Sequence, residues 1–199
     1  MLIEKKSEVC SDKIKNIEIE LQPDNVPDIM RTILDEHDIH IFISSIGYYG
    51  TKDINHFDLS DHNKTMMTNV TVPLLASIEV AKKMVCGKII FISSAAAYVG
   101  SRDLSYSASK AAVNGIVHGL AKSLENHSIY TYGIAPGIIS TNMSDQMTNQ
   151  RQNDTIERTL NKRKGTAVEV ARVVRFLVDE DSGYMNGSII HLNNGLYFN

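Results

Sequence analysis

Tyr106-Ser-Ala-Ser-Lys110 follows an apolar run that ends in Ser93-Ser94, and this strand-then-helix stretch decides how the chain is interpreted. Alanine-rich residues up to Asn126 predict a helix, which places Tyr106 and Lys110 on one face at positions i and i+4. Tyrosine ordinarily titrates near a pKa of about 10, and a nearby ammonium group favours its phenolate. Such a tyrosine can pass a proton to or from a carbonyl or alcohol oxygen that a serine hydroxyl holds. The combination predicts an oxidoreductase centre.

Strand and helix patterns alternate on both sides of this stretch. Strands are predicted at Asn16–Leu21, Ile39–Ser44, Lys88–Ser93, Ile129–Ala135 and Ser188–Leu192. Helices are predicted at Val26–His37, His62–Val85, Leu104–Asn126 and Ala167–Asp179, with a kink or early break at Pro73. The alternation predicts an α/β fold in which helices cover both faces of a parallel sheet.

Small residues gather where the predicted strands end, in Ser44-Ser-Ile-Gly47, Ser93-Ser94 and Pro136-Gly137. Open α/β sheets bind ligands at the carboxyl ends of their strands. Because Tyr106 and Lys110 open the helix after one of these ends, the sequence predicts a site at this edge of the sheet.

Length and composition fit one domain over residues 1–199, with residues 142–165 as a substrate-covering lobe. A net charge of −3 without a basic stripe argues against a nucleic-acid partner, and no apolar run is long enough to span a membrane. Cys10 and Cys86 lack metal or redox spacing and predict a cytoplasmic protein. His37-Asp-Ile-His40 has no third ligand nearby, so no metal site is expected.

These residues resemble the short-chain dehydrogenase/reductase family. Ser94, Tyr106 and Lys110 match its catalytic serine and Tyr-x-x-x-Lys pair, and Asn69 matches the helix asparagine of its proton relay. The other matching segments are Ser44-Ser-Ile-Gly47, which stands where the family has Asn-Asn-Ala-Gly, Pro136-Gly-Ile-Ile-Ser-Thr141, Val168-Glu-Val-Ala171 and Asn186–Gly195. The resemblance runs from about Asn16 to Gly195.

The resemblance implies a Rossmann-like fold and an NAD- or NADP-dependent interconversion of a carbonyl and a secondary alcohol, similar to that of 3-oxoacyl-thioester reductases. Tyr106 would be the general acid or base, and Lys110 would hold the nicotinamide ribose and lower the phenol pKa. Ser94 would orient the substrate oxygen, with Ser93 as an alternative because the interval to Tyr106 is short. Asn69 would position a water molecule, unless it only satisfies backbone groups at the Pro73 break.

The same resemblance implies a set of cofactor contacts at the carboxyl edge of the sheet. They are Ser45, Gly47, Tyr106, Lys110, Pro136, Gly137, Ile139 and Thr141. The alternative for Thr141 is that it simply caps the next helix. Whether NAD or NADP is preferred stays open.

One departure from the family pattern concerns the N-terminal part of the chain. The family begins with a strand and a Gly-x-x-x-Gly-x-Gly turn that binds the cofactor pyrophosphate, but the first glycine here is Gly47. A βαβ unit needs about 30 residues or more, and the strand predicted at Asn16 leaves no room for one. We therefore expect an N-terminally truncated fold that lacks the first βα unit, with weak or absent cofactor binding. Met1–Lys6 is interpreted as a remnant of the family's second strand.

The expected loss of a central strand would leave Ile17–Leu21 and Ile39–Ser44 without their shared neighbour. The N-terminal segment would then rearrange, a partner would cover the gap, or the chain would be a truncated product. Each buried backbone group left unpaired costs about 1–3 kcal/mol, so the gap cannot stay as it is.

The sequence leaves two alternatives open for the binding partners of the chain and two for its function. A small-residue ridge of Ala111, Gly115 and Gly119 either packs against a second subunit, giving a homodimer or homotetramer, or packs inside its own subunit. The lobe carries Arg151, Arg158, Lys162, Arg163 and Lys164, which suit an anionic group or simply form a solvated helix face. The chain is either an oxidoreductase acting on a small carbonyl or alcohol, or a dimerising relative without turnover.

Overall fold

A parallel sheet is the framework of this computed structural model, which describes residues 17–179 and 181–198. Within these residues the strands are β1 (Ile41–Ser44), β2 (Cys86–Ile92), β3 (Ser128–Pro136) and β4 (Ile189–Leu192), hydrogen-bonded in the order β1-β2-β3-β4. The helices are α1 (Val26–Glu36), α2 (Leu59–Met66), α3 (Val72–Lys83), α4 (Ala96–Val99), α5 (Leu104–Ser123), α6 (Asn142–Asp145), α7 (Asn149–Glu157) and α8 (Ala167–Asp179). The predicted α/β order is confirmed, with strand and helix ends displaced by a few residues.

Helices lie on both faces of this sheet because alternate residues of each strand point to opposite sides. Ile89 and Phe91 of β2 pack in one cluster with residues of α1, α3 and α5. Ile90 between them packs in a second cluster with Tyr132 of β3 and Leu177 of α8. The two clusters form the core on either side of the sheet.

Strand β1 lies at one edge of the described sheet, and its two faces are covered to different extents. Ile41 and Ile43 are paired with Lys88 and Ile90 of β2, so they share the face on which α8 packs. They remain 43% and 44% exposed, so this face of β1 is only partly covered. Phe42, on the other face, packs against the cluster of Val26, Val72 and Ala76.

The strand predicted at Asn16–Leu21 is wrong over residues 17–21, which form no strand, and Asn16 lies outside the described residues. Asn25 draws this segment into a turn: its carboxamide accepts from the Gln22 N–H (2.8 Å) and donates to the Glu20 carbonyl (3.0 Å). Leu21, in this loop, packs against the cluster of Val26, Val72 and Ala76. Within the described residues the expected gap between two strands therefore does not arise. Met1–Lys6 and Cys10 also lie outside the described residues.

The long helix predicted at His62–Val85 is two helices separated by a π turn at Met67–Thr71. Proline has no N–H to donate, which favours the first turn of a helix, and Pro73 occupies the first turn of α3. No break occurs at Pro73: the backbone stays helical from α2 through the π turn into α3, and the departure from α-helical geometry lies just before Pro73, at Met67–Thr71. The wider turn begins two residues before Asn69 and brings that residue into the interior, where it is 1% exposed.

The carboxyl ends of the strands meet at one edge of the sheet, followed by the Ser93-Ser94 pair, Gly137 and Asn193. Among residues 17–179 and 181–198, no helix is long and apolar enough to cross a membrane. The same residues contain no histidine, cysteine and carboxylate cluster that could hold a metal ion.

Candidate active site

Tyr106 and Lys110 lie on the first turns of α5, directly below the carboxyl edge of β2. Asp103 begins this helix, and its carboxylate accepts a hydrogen bond from the Tyr106 N–H (3.0 Å). The Lys110 Nζ atom lies 5.8 Å from the centre of the Tyr106 ring and donates to the backbone carbonyl of Ile92 (2.9 Å). The helical register thus brings the pair together as the sequence predicts.

Burial dominates the electrostatics of both groups. Lys110 is 4% exposed, and burial lowers its pKa to about 8. Burial also raises the pKa of Tyr106, and the hydrogen bond from Ser94 only partly opposes this. The expected lowering of the phenol pKa by Lys110 is therefore not the dominant effect here. Tyr106 is protonated at neutral pH, which suits a proton donor.

The two adjacent serines have separate surroundings. The Ser94 side chain lies beside Tyr106, where its hydroxyl group lowers the phenol pKa, and it accepts from the Ala96 N–H (3.1 Å). The Ser93 hydroxyl group points into the interior, 2.6 Å from Asn114 Oδ1 and 3.2 Å from the Lys110 carbonyl oxygen. Ser94 is thus the serine that reaches Tyr106, and Ser93 ties β2 to α5.

Asn69 links the loop after β1 to helix α5. Its Oδ1 accepts from the Tyr48 N–H (2.6 Å), and its Nδ2 donates to the Tyr48 carbonyl and the Ser109 hydroxyl group (2.9 Å each). Ser109 in turn donates to the Tyr106 carbonyl (2.8 Å). The Asn69 side chain therefore holds the loop beside Tyr106, and it does not bind backbone groups near Pro73.

Gly47 lies where the loop after β1 passes closest to Lys110. A Cβ atom at this position would lie 3.5 Å from both Lys110 Nζ and Met143 Cε. Because Gly47 has no side chain, a space remains between its backbone, the Lys110 ammonium group and Met143, and we call this space the Gly47 cradle. Ser45 is exposed at the end of β1, at the same edge of the sheet.

The segment after β3 borders this cradle from the other side. Pro136 ends β3, and Gly137 passes so near Asn193 that a Cβ atom would lie 3.1 Å from the Asn193 Cα atom. Thr141 immediately precedes α6, with its hydroxyl group 3.4 Å from the Ile139 carbonyl oxygen. Thr141 is the N-cap residue of α6, and its N–H donates to the Ser144 hydroxyl group (3.3 Å), so the capping role is confirmed. The cofactor contact of Thr141 stays a prediction.

The described residues fit only one end of a nicotinamide dinucleotide. The Gly47 cradle and the Lys110 ammonium group suit the nicotinamide ribose. No glycine precedes Gly47 in the sequence, so the described residues offer no glycine turn for the pyrophosphate. Chemically, the arrangement can hold an oxygen atom between two hydroxyl groups and give it a proton.

The basic side chains of the lobe around α6 and α7 mostly have partners within the chain. The contacts are Arg151 with the Thr51 carbonyl, Lys162 with Glu157, Arg163 with Glu169, and Lys164 with Asp145. These contacts favour the interpretation of a solvated, ion-paired surface over that of an anion site.

Several residues beside Tyr106 were not predicted. Met143 of α6 places its sulfur 3.9 Å from the Tyr106 hydroxyl group, and the Tyr49 ring packs edge-on against the Tyr106 ring. The one available signal was position, because Tyr48-Tyr49 directly follows the strand-end glycine Gly47.

The small-residue ridge faces away from its own subunit. Ala111, Gly115 and Gly119 are exposed, and a Cβ atom on either glycine would meet nothing within 4 Å. Together with Val70, Leu74 and Ile78, the two glycines line a groove of about 850 Å³ between α3 and α5. Packing of the ridge inside its own subunit is therefore wrong.

Comparisons with known proteins agree with this geometry. A family described as enoyl-(acyl carrier protein) reductase matches residues 17–197. The 3-oxoacyl-(acyl-carrier-protein) reductase of Buchnera aphidicola subsp. Baizongia pistaciae is 30% identical over 80% of this chain and 66% of its own length. The Haemophilus influenzae reductase of the same name is 33% identical over 73% of this chain and 60% of its own length. The chain thus spans about three fifths to two thirds of these relatives.

Solved structures show the same fold. A short-chain dehydrogenase from Burkholderia cenocepacia, crystallised in complex with NADP, has a TM-score of 0.81 and 25% identity, covering 87% of this chain and 72% of that one. A short-chain dehydrogenase/reductase from Serratia marcescens has a TM-score of 0.80 and 24% identity, covering 87% of this chain and 72% of that one.

Proposed function

Because the chain belongs to the short-chain dehydrogenase/reductase family, we propose that it is an NAD(P)-dependent oxidoreductase that interconverts a carbonyl group and a secondary alcohol. The observation that carries this proposal is that Ser94, Tyr106 and the buried Lys110 ammonium group lie together at the carboxyl end of β2. The family resemblance assigns these three residues to the reacting centre, and their geometry supports the assignment.

Each side chain has a step to perform. Ser94 donates a hydrogen bond to the substrate oxygen and fixes it beside Tyr106. Tyr106, protonated because burial raises its pKa, donates its proton as the oxygen gains negative charge. Lys110 stabilises the phenolate that remains, and Asn69 keeps the neighbouring loop in place. A bound nicotinamide cofactor would supply the hydride to the carbonyl carbon.

The substrate class that we propose is supported by the names of two relatives, both 3-oxoacyl-(acyl-carrier-protein) reductases. A 3-oxoacyl thioester presents a ketone of the kind that the Ser94–Tyr106 pair can polarise. Acetoacetyl coenzyme A is therefore the probe of choice.

The test has two stages, cofactor binding and turnover. The purified chain, shown to be folded, is titrated into NADH and NADPH while nicotinamide fluorescence is followed. Turnover is then measured with acetoacetyl coenzyme A in wild type and Tyr106→Phe. We expect weak but saturable binding by both proteins, and a loss of turnover of about 10²–10⁴-fold in the variant. Equal turnover in both proteins would refute the proposal.

A second function, that of a dimerising module without cofactor turnover, is favoured by one observation. No glycine precedes Gly47, so the described part of the chain lacks the turn that would bind the cofactor pyrophosphate. A folded dimer that binds neither NADH nor NADPH at millimolar concentration would establish this alternative.

The proposed partner in either case is a second copy of the chain. The exposed ridge and the apolar groove between α3 and α5 suit close packing of two helices from another subunit. A homodimer or homotetramer formed on this surface belongs to the proposal.

A further inference from the structure

The Tyr48–Thr51 segment, which follows Gly47, packs against Tyr106 through the side chain of Tyr49. The Tyr49 and Tyr106 rings have centres 5.0 Å apart and planes inclined at 70°, the edge-to-face arrangement that aromatic pairs prefer. Tyr49 is 9% exposed, so its ring forms a buried wall on one side of the Tyr106 ring. The position of Tyr49 therefore affects how Tyr106 is oriented and covered.

Tyr48 is held at both ends. Asn69 binds its backbone N–H and carbonyl groups, while its hydroxyl group donates to Asp61 at 2.6 Å. The Lys64 ammonium group lies 4.3 Å from the centre of its ring. The hydrogen bond to Asp61 is the main cause that raises the pKa of Tyr48 to about 12, so the hydroxyl group stays protonated and bound.

Asp61 also fixes the next turn of the segment. A Cβ atom on Gly50 would lie 1.9 Å from the nearer Asp61 oxygen, so the backbone at Gly50 passes directly against the carboxylate. Thr51 has φ +61°, a conformation that β-branched residues rarely adopt, and its carbonyl accepts from Arg151 (3.4 Å). Residues in such conformations persist where their surroundings hold them, and they cluster at functional sites.

We propose that Asp61 is a positioning residue that acts through the Tyr48 hydroxyl group: it holds the Tyr48–Thr51 segment so that Tyr49 orients and covers Tyr106. This inference rests on the proposed function, in which Tyr106 is the proton donor. Asp61 lies on α2 and Tyr106 on α5, and the Tyr48–Thr51 segment contacts both residues. The two helices also meet directly where His62 Nδ1 lies 3.0 Å from the Ser105 hydroxyl group, a contact that the variant Tyr48→Phe leaves in place.

The test observes Tyr106 directly. The full chain is labelled with 3-fluorotyrosine, and the Tyr106 resonance is identified by its loss in Tyr106→Phe. The groups around Tyr106 are Ser94, Tyr49, Asp103, Lys110 and Met143, and the variant Tyr48→Phe substitutes none of them. It removes one hydroxyl group and leaves the Asp61 charge in place.

We expect Tyr48→Phe to shift the Tyr106 fluorine resonance and to lower the midpoint of its titration towards that of an exposed tyrosine, because Tyr49 no longer covers the ring. Asp61→Ala should do the same, and Asp61→Asn, which keeps an acceptor oxygen, should restore the wild-type resonance. An unchanged Tyr106 resonance and midpoint in Tyr48→Phe would overturn the proposal. If Asp61→Ala does not fold, Tyr48→Phe decides alone.

Tyr132→Phe is the matched control. It removes a buried tyrosine hydroxyl group, bonded to Ser182, on the opposite face of the sheet. The control should leave the Tyr106 resonance in place. A shift as large as that of Tyr48→Phe would mean that any lost buried hydroxyl group perturbs Tyr106, and would also overturn the proposal.

These spectra need neither cofactor nor substrate, so they separate the two claims. Absence of turnover in the wild type counts against the proposed function and leaves the fluorine result valid. Where turnover is present, Tyr48→Phe should lower kcat by up to about 10²-fold, the cost of a misplaced reacting group, with a smaller change in KM.

Discussion

Lys110 is a buried cation whose ammonium group donates to the Ile92 carbonyl. Its pKa of about 8 in the folded chain lies below the ordinary value of 10.5. Between these pH values the unfolded chain holds a proton that the folded chain has released. The free energy of unfolding should therefore rise with pH, by about 1.4 kcal/mol for each unit that separates the two pKa values.

The first prediction concerns this pH dependence. Urea unfolding of the wild type should show a stability increase from pH 8 to pH 10 that is absent in Lys110→Met. Above pH 10 the raised pKa of Tyr106 acts in the opposite direction, because the folded chain keeps a proton that the unfolded chain loses. A parallel pH dependence of the two proteins would contradict the burial of a charged Lys110.

The second prediction separates the two serines. Ser94→Ala removes a hydroxyl group beside Tyr106 and should lower kcat/KM by about 10²-fold or more, with little loss of stability. Ser93→Ala removes a buried hydroxyl group bonded to Asn114 and Lys110, and should cost about 1–3 kcal/mol of unfolding free energy. Turnover and urea unfolding of both variants provide the measurement, and a reversed pattern would exchange the roles of the two residues.

At the scale of elements, the start of β2 depends on one glycine. Gly87 has φ +150°, and a Cβ atom there would lie 2.0 Å from the carbonyl oxygen of His40, which accepts from the Lys88 N–H. This close approach lets β2 pair with the residues that lead into β1.

The third prediction is that Gly87→Ala destabilises the fold by about 3 kcal/mol, because a backbone clash adds to an unfavourable φ. Gly100→Ala is the control: Gly100 has φ +79°, but nothing lies within 4 Å of the added Cβ atom. It should cost less than Gly87→Ala, within the range of about 1–3 kcal/mol for a backbone conformation (φ +79°, ψ 173°) that is essentially confined to glycine. Equal losses in urea unfolding would mean that the clash at His40 relaxes freely.

At the scale of the molecule, the outward ridge on α5 is the feature that a second copy would use. Gly115 and Gly119 expose bare helix backbone beside the apolar residues of α3. Glycine in the middle of a helix is unfavourable relative to alanine by about 1 kcal/mol. A close helix contact would explain the presence of two such residues.

The fourth prediction is that Gly119→Arg abolishes self-association without lowering the stability of the subunit. His118→Arg is the matched control, because it places the same side chain on an exposed neighbouring position that does not line the groove. Analytical ultracentrifugation should show the wild type and His118→Arg as oligomers and Gly119→Arg as a monomer. A monomeric wild type would refute the proposed subunit contact.

The failed strand at residues 17–21 illustrates why sequence pattern alone misleads. Apolar and charged residues alternate there as in a half-buried strand, but a strand forms only where a neighbour supplies hydrogen bonds. Here Asn25 holds the segment in a turn, and β1 forms its hydrogen bonds with β2 instead. The segment with the alternating pattern is therefore a loop, and its Leu21 side chain packs inward.

The sequence by itself determined the order of the four described strands and of the main helices between them, and the register of Tyr106 and Lys110, because hydrophobic periodicity and helical spacing are local properties. It also placed the candidate site at the carboxyl edge of the sheet, since parallel strands bring their ends together. Only the tertiary structure decided that Ser94 rather than Ser93 meets Tyr106, that Asn69 binds Tyr48, and that the glycine ridge faces outward. These depend on contacts between elements far apart in the chain, and the directions in which their side chains point are set only when the core packs.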